Sequence, residues 1–177
     1  MTEKILVTGG AGFIGSHTCI ELLNNGNEVV VVDNLYNANK KSLEVVEKVT
    51  GKKVTFYEVD IRDEEKLNEV FETEKDIFGV IHFAGLKAVG ESCALPLKYY
   101  DNNVAGTTTL CRVMEKNNCK NIIFSSSATV YGDPHALPIK EDFPLSVTKP
   151  YGRTKLMLEE IKEKTFWNQI QFQKVLF

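Results

Sequence analysis

The run Thr8-Gly9-Gly10-Ala11-Gly12-Phe13-Ile14-Gly15 places glycines three residues apart, directly between an apolar stretch, Ile5-Leu6-Val7, and a segment of helical period. Few folds use such a junction, because it turns a buried strand straight into a helix. Gly9 can turn the chain where a Cβ would clash, Gly12 lets backbone approach a pyrophosphate, and Gly15 lets the helix pack closely on the strand. The helix then faces an anion with unpaired N–H groups and the positive end of its dipole. Asp33 closes the second apolar run, Val29-Val30-Val31-Val32. A carboxylate there accepts hydrogen bonds from ribose 2′- and 3′-hydroxyls and repels a 2′-phosphate, which favours NAD over NADP.

Further along, apolar runs of strand length alternate with helical stretches, the pattern of a parallel sheet with crossover helices. The second run shows no polar alternation and reads as a strand buried on both faces. Strands are expected also at 54–59, 80–83 and 121–125, and one more in the tail at 170–177. Helices are expected at 14–24, 42–49 and 64–71, with a long one over 96–116. A further helix begins near Pro150, with Ser146 or Thr148 as its cap. The 177 residues, 43% hydrophobic and 25% charged, suit one soluble α/β domain. A net charge of -3 and scattered lysines give no basic stripe, so nucleic acid is not an expected partner. No signal core or membrane-length apolar run is visible, and a cytoplasmic protein is expected. Cys19, Cys93, Cys111 and Cys119 form no C-x-x-C pair and read as reduced thiols. With His17, His82 and His135 equally scattered, no metal site is expected.

The glycine run with its closing Asp33 resembles the extended short-chain dehydrogenase/reductase family, which implies a Rossmann-like doubly wound parallel sheet. Phe13, Ile14 and Asn34 then belong to the cofactor site beside Gly9, Gly12, Gly15 and Asp33. The resemblance continues through Asp60-Ile61, which in that family lie against the adenine; read from the residues alone, Asp60 could equally cap the next helix. The run His82-Phe83-Ala84-Gly85-Leu86-Lys87-Ala88-Val89-Gly90-Glu91-Ser92 is similar, nearly residue for residue, to the stretch after the fourth strand in that family's UDP-glucose 4-epimerases. Phe83, Ala84 and Gly85 would line the cofactor, Lys87 would reach the nicotinamide ribose or the sugar nucleotide, and Asn102 resembles a helix asparagine near the cofactor. Without the family, Lys87 would be read as a surface lysine and Asn102 as part of a solvated face.

Tyr151-Gly152-Arg153-Thr154-Lys155 sets a phenol and an ammonium four residues apart, on one helical face. Making a phenol a base near neutral pH takes about three pKa units, roughly 4 kcal/mol. Lys155 and the positive nicotinamide ring are charges that could supply this. Ser127, at the exit of the fifth strand, would hydrogen-bond the same substrate oxygen. The resemblance implies that Tyr151 takes the proton from the sugar 4′-hydroxyl while hydride passes to tightly held NAD, leaving a 4-keto sugar that turns over before hydride and proton return. UDP-galactose and UDP-glucose are thus the implied substrates. Related 4,6-dehydratases need a further acid and base beside the serine; Ser126, Ser127 and Ala128 offer no carboxylate, which favours epimerisation.

The resemblance covers about 4–160. The organisation expected is one NAD-binding domain over 1–177, with 165–177 an atypical tail and the C-terminal substrate domain absent. Where the family closes its next strand with an Arg-Tyr-Phe-Asn-Pro-like segment, this chain reads Thr165-Phe166-Trp167-Asn168-Gln169-Ile170, a frame-shifted or truncated end. Trp167, Phe172 and Phe177 would then form an exposed apolar patch. Two readings stay open: an epimerase carrying Ser127, Tyr151 and Lys155, and a non-catalytic NAD-binding remnant. The chain alone is expected to bind NAD weakly and to turn over UDP-galactose poorly or not at all. A homodimer through the faces near 103–115 and the Tyr151 helix is also an expectation.

Overall fold

In the computed structural model, residues 2–164 and 171–176 are described, with the backbone alone for 162–164 and 171–176. Six strands, β1 (Lys4–Thr8), β2 (Glu28–Asp33), β3 (Thr55–Glu58), β4 (Ile77–His82), β5 (Asn121–Ser126) and β6 (Gln171–Leu176), form a sheet in the order β3-β2-β1-β4-β5-β6. Every pairing is parallel. The helices are α1 (Phe13–Asn24), α2 (Lys41–Thr50), α3 (Glu64–Glu74), α4 (Val89–Ala94), α5 (Pro96–Tyr99), α6 (Gly106–Lys116) and α7 (Pro150–Lys164).

The unbroken valines of β2 have the reason expected of them. Val30 and Val32 enter one core with Leu6, Leu67, Leu110 and Met114, while Val29 and Val31 enter a second with Val7, Cys19, Leu23 and Val46. One core lies under α3 and α6 and the other under α1 and α2, so the sheet is covered on both faces. Cys19, Cys111 and Cys119 are buried, Cys93 is exposed, and all four are free thiols.

Three expectations need correction. The fourth strand begins at Ile77, since Lys4 pairs with Ile77 and a register shift follows, and it ends at His82. The long helix over 96–116 is not uniform: α5 runs into a π turn, Tyr100–Ala105, before α6 resumes. Before it lies α4, which its short, glycine-containing sequence did not reveal, and after β5 a 3₁₀ turn, Ala128–Tyr131, is likewise new. Helix α7 does start at Pro150, but the partner given to the amide of Tyr151 is the Ser92 hydroxyl of α4, at 3.1 Å. The tail strand is present as β6. Trp167 and Phe177 lie outside the described residues, as does the Phe172 side chain.

Candidate active site

The carboxyl edge of a parallel sheet is where successive loops leave toward alternate faces, and a cleft opens between them. At that edge Gly9 has φ +70°, and a Cβ on it would lie 2.7 Å from the Ala84 amide nitrogen. No other residue fits. A Cβ on Gly15 would lie 2.3 Å from the Gly9 carbonyl oxygen, so the third glycine lets the helix close on the turn itself. The glycine tight against a strand is Gly10, where a Cβ would come 2.7 Å from the Val31 methyls of β2. Gly12 caps α1 without a side-chain bond, and the first turn holds no acid. The amides there are therefore open to an anion.

A cleft of about 440 Å³ runs from Asp33 and Asn34, across the start of α1, to Tyr151 and Lys155. The sequence-derived residues Gly9, Gly12, Phe13, Ile14, Gly15, Asp33, Asn34, Ile61, Phe83, Ala84, Gly85, Lys87, Asn102, Tyr151 and Lys155 all line it. Two do not. Asp60 is occupied by Arg62, whose Nε and Nη2 donate at 2.9 and 2.8 Å, and by Asn34 Nδ2 at 2.9 Å. Arg62 holds its carboxyl well below the usual carboxylate range. Nor does Asp60 cap α3, because Asp63 accepts from the Lys66 amide at 3.1 Å. Through its bond to Asn34 Nδ2, Asp60 holds that lining residue. Ser127 is not in the lining: its Oγ accepts from Thr129 N at 3.3 Å and Thr129 Oγ1 at 3.0 Å, and it lies close enough to the Tyr151 phenol to lower its pKa.

Asp33 is buried, and desolvation raises its pKa against two backbone amides, Leu35 at 2.9 Å and Ala11 at 3.1 Å. A carboxylate so fixed can still accept from a diol through its remaining lone pairs. At the opposite end, burial raises the Tyr151 pKa and the Ser127 hydrogen bond opposes it. Lys155 is not among the causes. Its Nζ donates to the Ser125 carbonyl at 2.8 Å and sits 4.7 Å from the Phe124 ring centroid. Burial lowers the Lys155 pKa to about 8, with Glu159 acting to raise it. Glu159, buried on α7, accepts a short hydrogen bond from Ser126, a pairing that four-residue spacing from Lys155 did not suggest.

Tyr36 is a lining residue that sequence reasoning missed, although it follows Asp33 by three positions. Lys98 of α5 donates to its hydroxyl at 2.8 Å and to Glu91 of α4 at 2.8 Å. Since β1 lies between β2 and β4, this contact joins the two walls across the glycine turn. An elongated diphosphate with a diol at one end and a reacting ring at the other suits the whole arrangement.

The chain matches, over residues 5–169, the family described as NAD dependent epimerase/dehydratase. It is 64% identical over 157 residues to the UDP-glucose 4-epimerase of Bacillus subtilis, covering 89% of this chain and 46% of that protein. Against the UDP-glucose 4-epimerase of Dictyostelium discoideum it is 61% identical over 159 residues, 90% of this chain and 46% of the other. The crystal structure of UDP-glucose 4-epimerase from Bifidobacterium longum in complex with NAD+ and UDP superposes with a TM-score of 0.92 at 53% identity, covering 98% of this chain and 52% of that one. The chain spans about half the length of the relatives it matches.

Proposed function

The chain belongs to the NAD dependent epimerase/dehydratase family, and from that premise we propose that it is the NAD-binding domain, over 1–177, of an enzyme that interconverts UDP-galactose and UDP-glucose. The observation that carries this is one continuous cleft with Asp33 at one end and Tyr151 and Lys155 at the other. Asp33 and Asn34 would take the adenosine ribose and the open amides of α1 the pyrophosphate, leaving the nicotinamide between Lys87, Asn102 and Tyr151. When bound, NAD supplies a hydride acceptor that can give the hydride back.

The protein's own residues do the proton work. Tyr151 accepts the proton of the substrate 4′-hydroxyl, and Ser127 donates to the phenolate oxygen and so favours its charged form. Lys155, held on the Ser125 carbonyl, contributes a fixed positive charge at the same end of the cleft. A dehydration would need a free carboxyl beside the serines. Among the described residues the carboxyl hydrogen-bonded to Ser126, Glu159, is buried and engaged there, which supports epimerisation. No helix among the described residues is long and apolar enough to cross a membrane. The proposal includes a cytoplasmic homodimer meeting through α6 and α7, on which Arg112, Glu115, Arg153 and Glu160 are exposed; sedimentation equilibrium tests it.

The chemistry is tested by a coupled assay of UDP-galactose conversion with added NAD+, wild type beside Tyr151→Phe. Any conversion is expected to fall by about 10²-fold or more in the variant, the usual worth of a general base. A rate that the variant retains would contradict the assignment of Tyr151.

A further inference from the structure

His82 ends β4 with its side chain fully enclosed, and both ring nitrogens are engaged by hydroxyls from other elements. The hydroxyl of Thr107, in α6, donates to the Asn103 carbonyl at 2.6 Å. Having one proton, it can only accept from His82 Nε2, 2.8 Å away. Nε2 therefore carries the imidazole proton and Nδ1 is bare. Thr8, the last residue of β1 before the glycine turn, then donates to Nδ1 at 2.6 Å. Its oxygen also takes the Ala84 amide at 3.4 Å.

Thr107 meets the main-chain carbonyl of Asn103, and the side chain of the same residue makes a second set of bonds. The Asn103 side chain accepts from Leu86 N at 2.8 Å, and donates to Leu86 O at 2.9 Å and to Thr154 Oγ1 at 3.1 Å. Thr154 in turn donates to the Tyr151 carbonyl at 2.7 Å. Asn103 sits in the π turn, a form of helix that recurs at functional sites. A buried neutral imidazole needs a partner on each nitrogen, and here the two come from different elements, Thr8 of β1 and Thr107 of α6. His82 ties β1 at the glycine turn to the π turn, and the π turn holds both the Leu86–Lys87 loop and the first turn of α7. Burial lowers the imidazole pKa to about 3, with Lys155 adding to the effect, so the neutral tautomer that this pattern requires is the one present.

We propose that His82 is a positioning residue that fixes the glycine turn relative to the nicotinamide end of the cleft, acting through Thr107 and Asn103 on the Leu86–Lys87 loop and on Tyr151. The inference rests on the NAD reading above and goes beyond it, since His82 is not among the residues that line the cleft.

The test is the affinity of the chain for NADH and for ADP-ribose, which lacks the nicotinamide. His82→Asn keeps an acceptor, its Oδ1, near the place of Nδ1 but is too short for Thr107, whereas His82→Gln can reach Thr107 with its amide nitrogen. Thr107→Val removes the hydroxyl at nearly constant shape and serves where a histidine variant fails to fold. His82→Asn and Thr107→Val are expected to weaken NADH about five- to tenfold more than ADP-ribose, the worth of one buried hydrogen bond. His82→Gln should keep the ratio within about twofold of wild type. Equal weakening of both ligands in Thr107→Val, or none, would reduce His82 to a structural role and overturn the proposal. Binding of neither ligand by the wild-type chain would overturn the cofactor reading, and this one with it.

Discussion

One helical turn separates Tyr151 from Lys155, and burial disfavours the charged form of each: the phenol is pushed up and the ammonium down. The free protein therefore holds Tyr151 as a neutral phenol, and in the proposed reaction its activation comes with the ligand. We predict that its ionisation, read at 295 nm as the difference between wild type and Tyr151→Phe, lies above pH 10 in the free chain and moves down when NAD+ is added. A titration that NAD+ leaves in place would remove the positive ring as a source of activation. His82 carries a second pH effect. Its pKa of about 3 in the fold lies below the ordinary 6.5, so between those values the unfolded chain binds more protons. Stability is then full above pH 6.5 and is lost as pH falls toward 3. Urea unfolding at pH 7 and pH 5 should show wild type losing about 2 kcal/mol more than His82→Gln, at about 1.4 kcal/mol per pH unit. Equal losses would mean that the buried imidazole is not the titrating group. Asp33, Tyr151 and Lys155 were legible because each sits in a short pattern with a chemical reason. His82 was not, because its role is set by Thr8 and Thr107, 74 and 25 positions away.

The elements that sequence periodicity read well are those with one apolar face over several turns, such as α2 with Leu43 and Val46 buried. The helix over 96–116 was read as a single piece because periodicity records which face is buried and not which carbonyl an amide bonds. The π turn at Tyr100–Ala105 answers to contacts outside its own sequence, those of Asn103 with the Leu86 loop and α7. The cap of α7 shows the same limit. Ser92 is fully buried on α4; its hydroxyl donates to Val89 O at 2.6 Å and accepts the Tyr151 amide at 3.1 Å. Ser92→Ala should cost about 1 kcal/mol, the typical worth of an N-cap, in urea unfolding with unchanged m value. A stability equal to wild type would show that water or a neighbouring residue replaces the cap.

At the scale of the molecule, one sheet order explains why residues far apart in the chain share a cleft. β1 lies at its centre, so the glycine turn, the Asp33 loop after β2 and the Phe83–Lys87 loop after β4 meet at its carboxyl edge, and β5 adds Ser125 and Ser126. This much was readable from strand-length valine and isoleucine runs placed between helical stretches, since doubly covered parallel strands need no polar face. The bridge from Tyr36 to Lys98 was not readable, because it joins the loop after β2 to α5 through side chains that carry no motif. What the molecule is built to hold follows most directly from Asp33, a buried carboxylate in the cleft where an adenosine ribose would end. The decisive measurement is a calorimetric titration of the chain with NAD+ and with NADP+. We predict that NAD+ binds and that NADP+ binds at least about tenfold more weakly, a difference of about 1.4 kcal/mol, because its 2′-phosphate meets the carboxylate. Equal binding of the two, or a preference for NADP+, would contradict the assignment of this cleft as an NAD site.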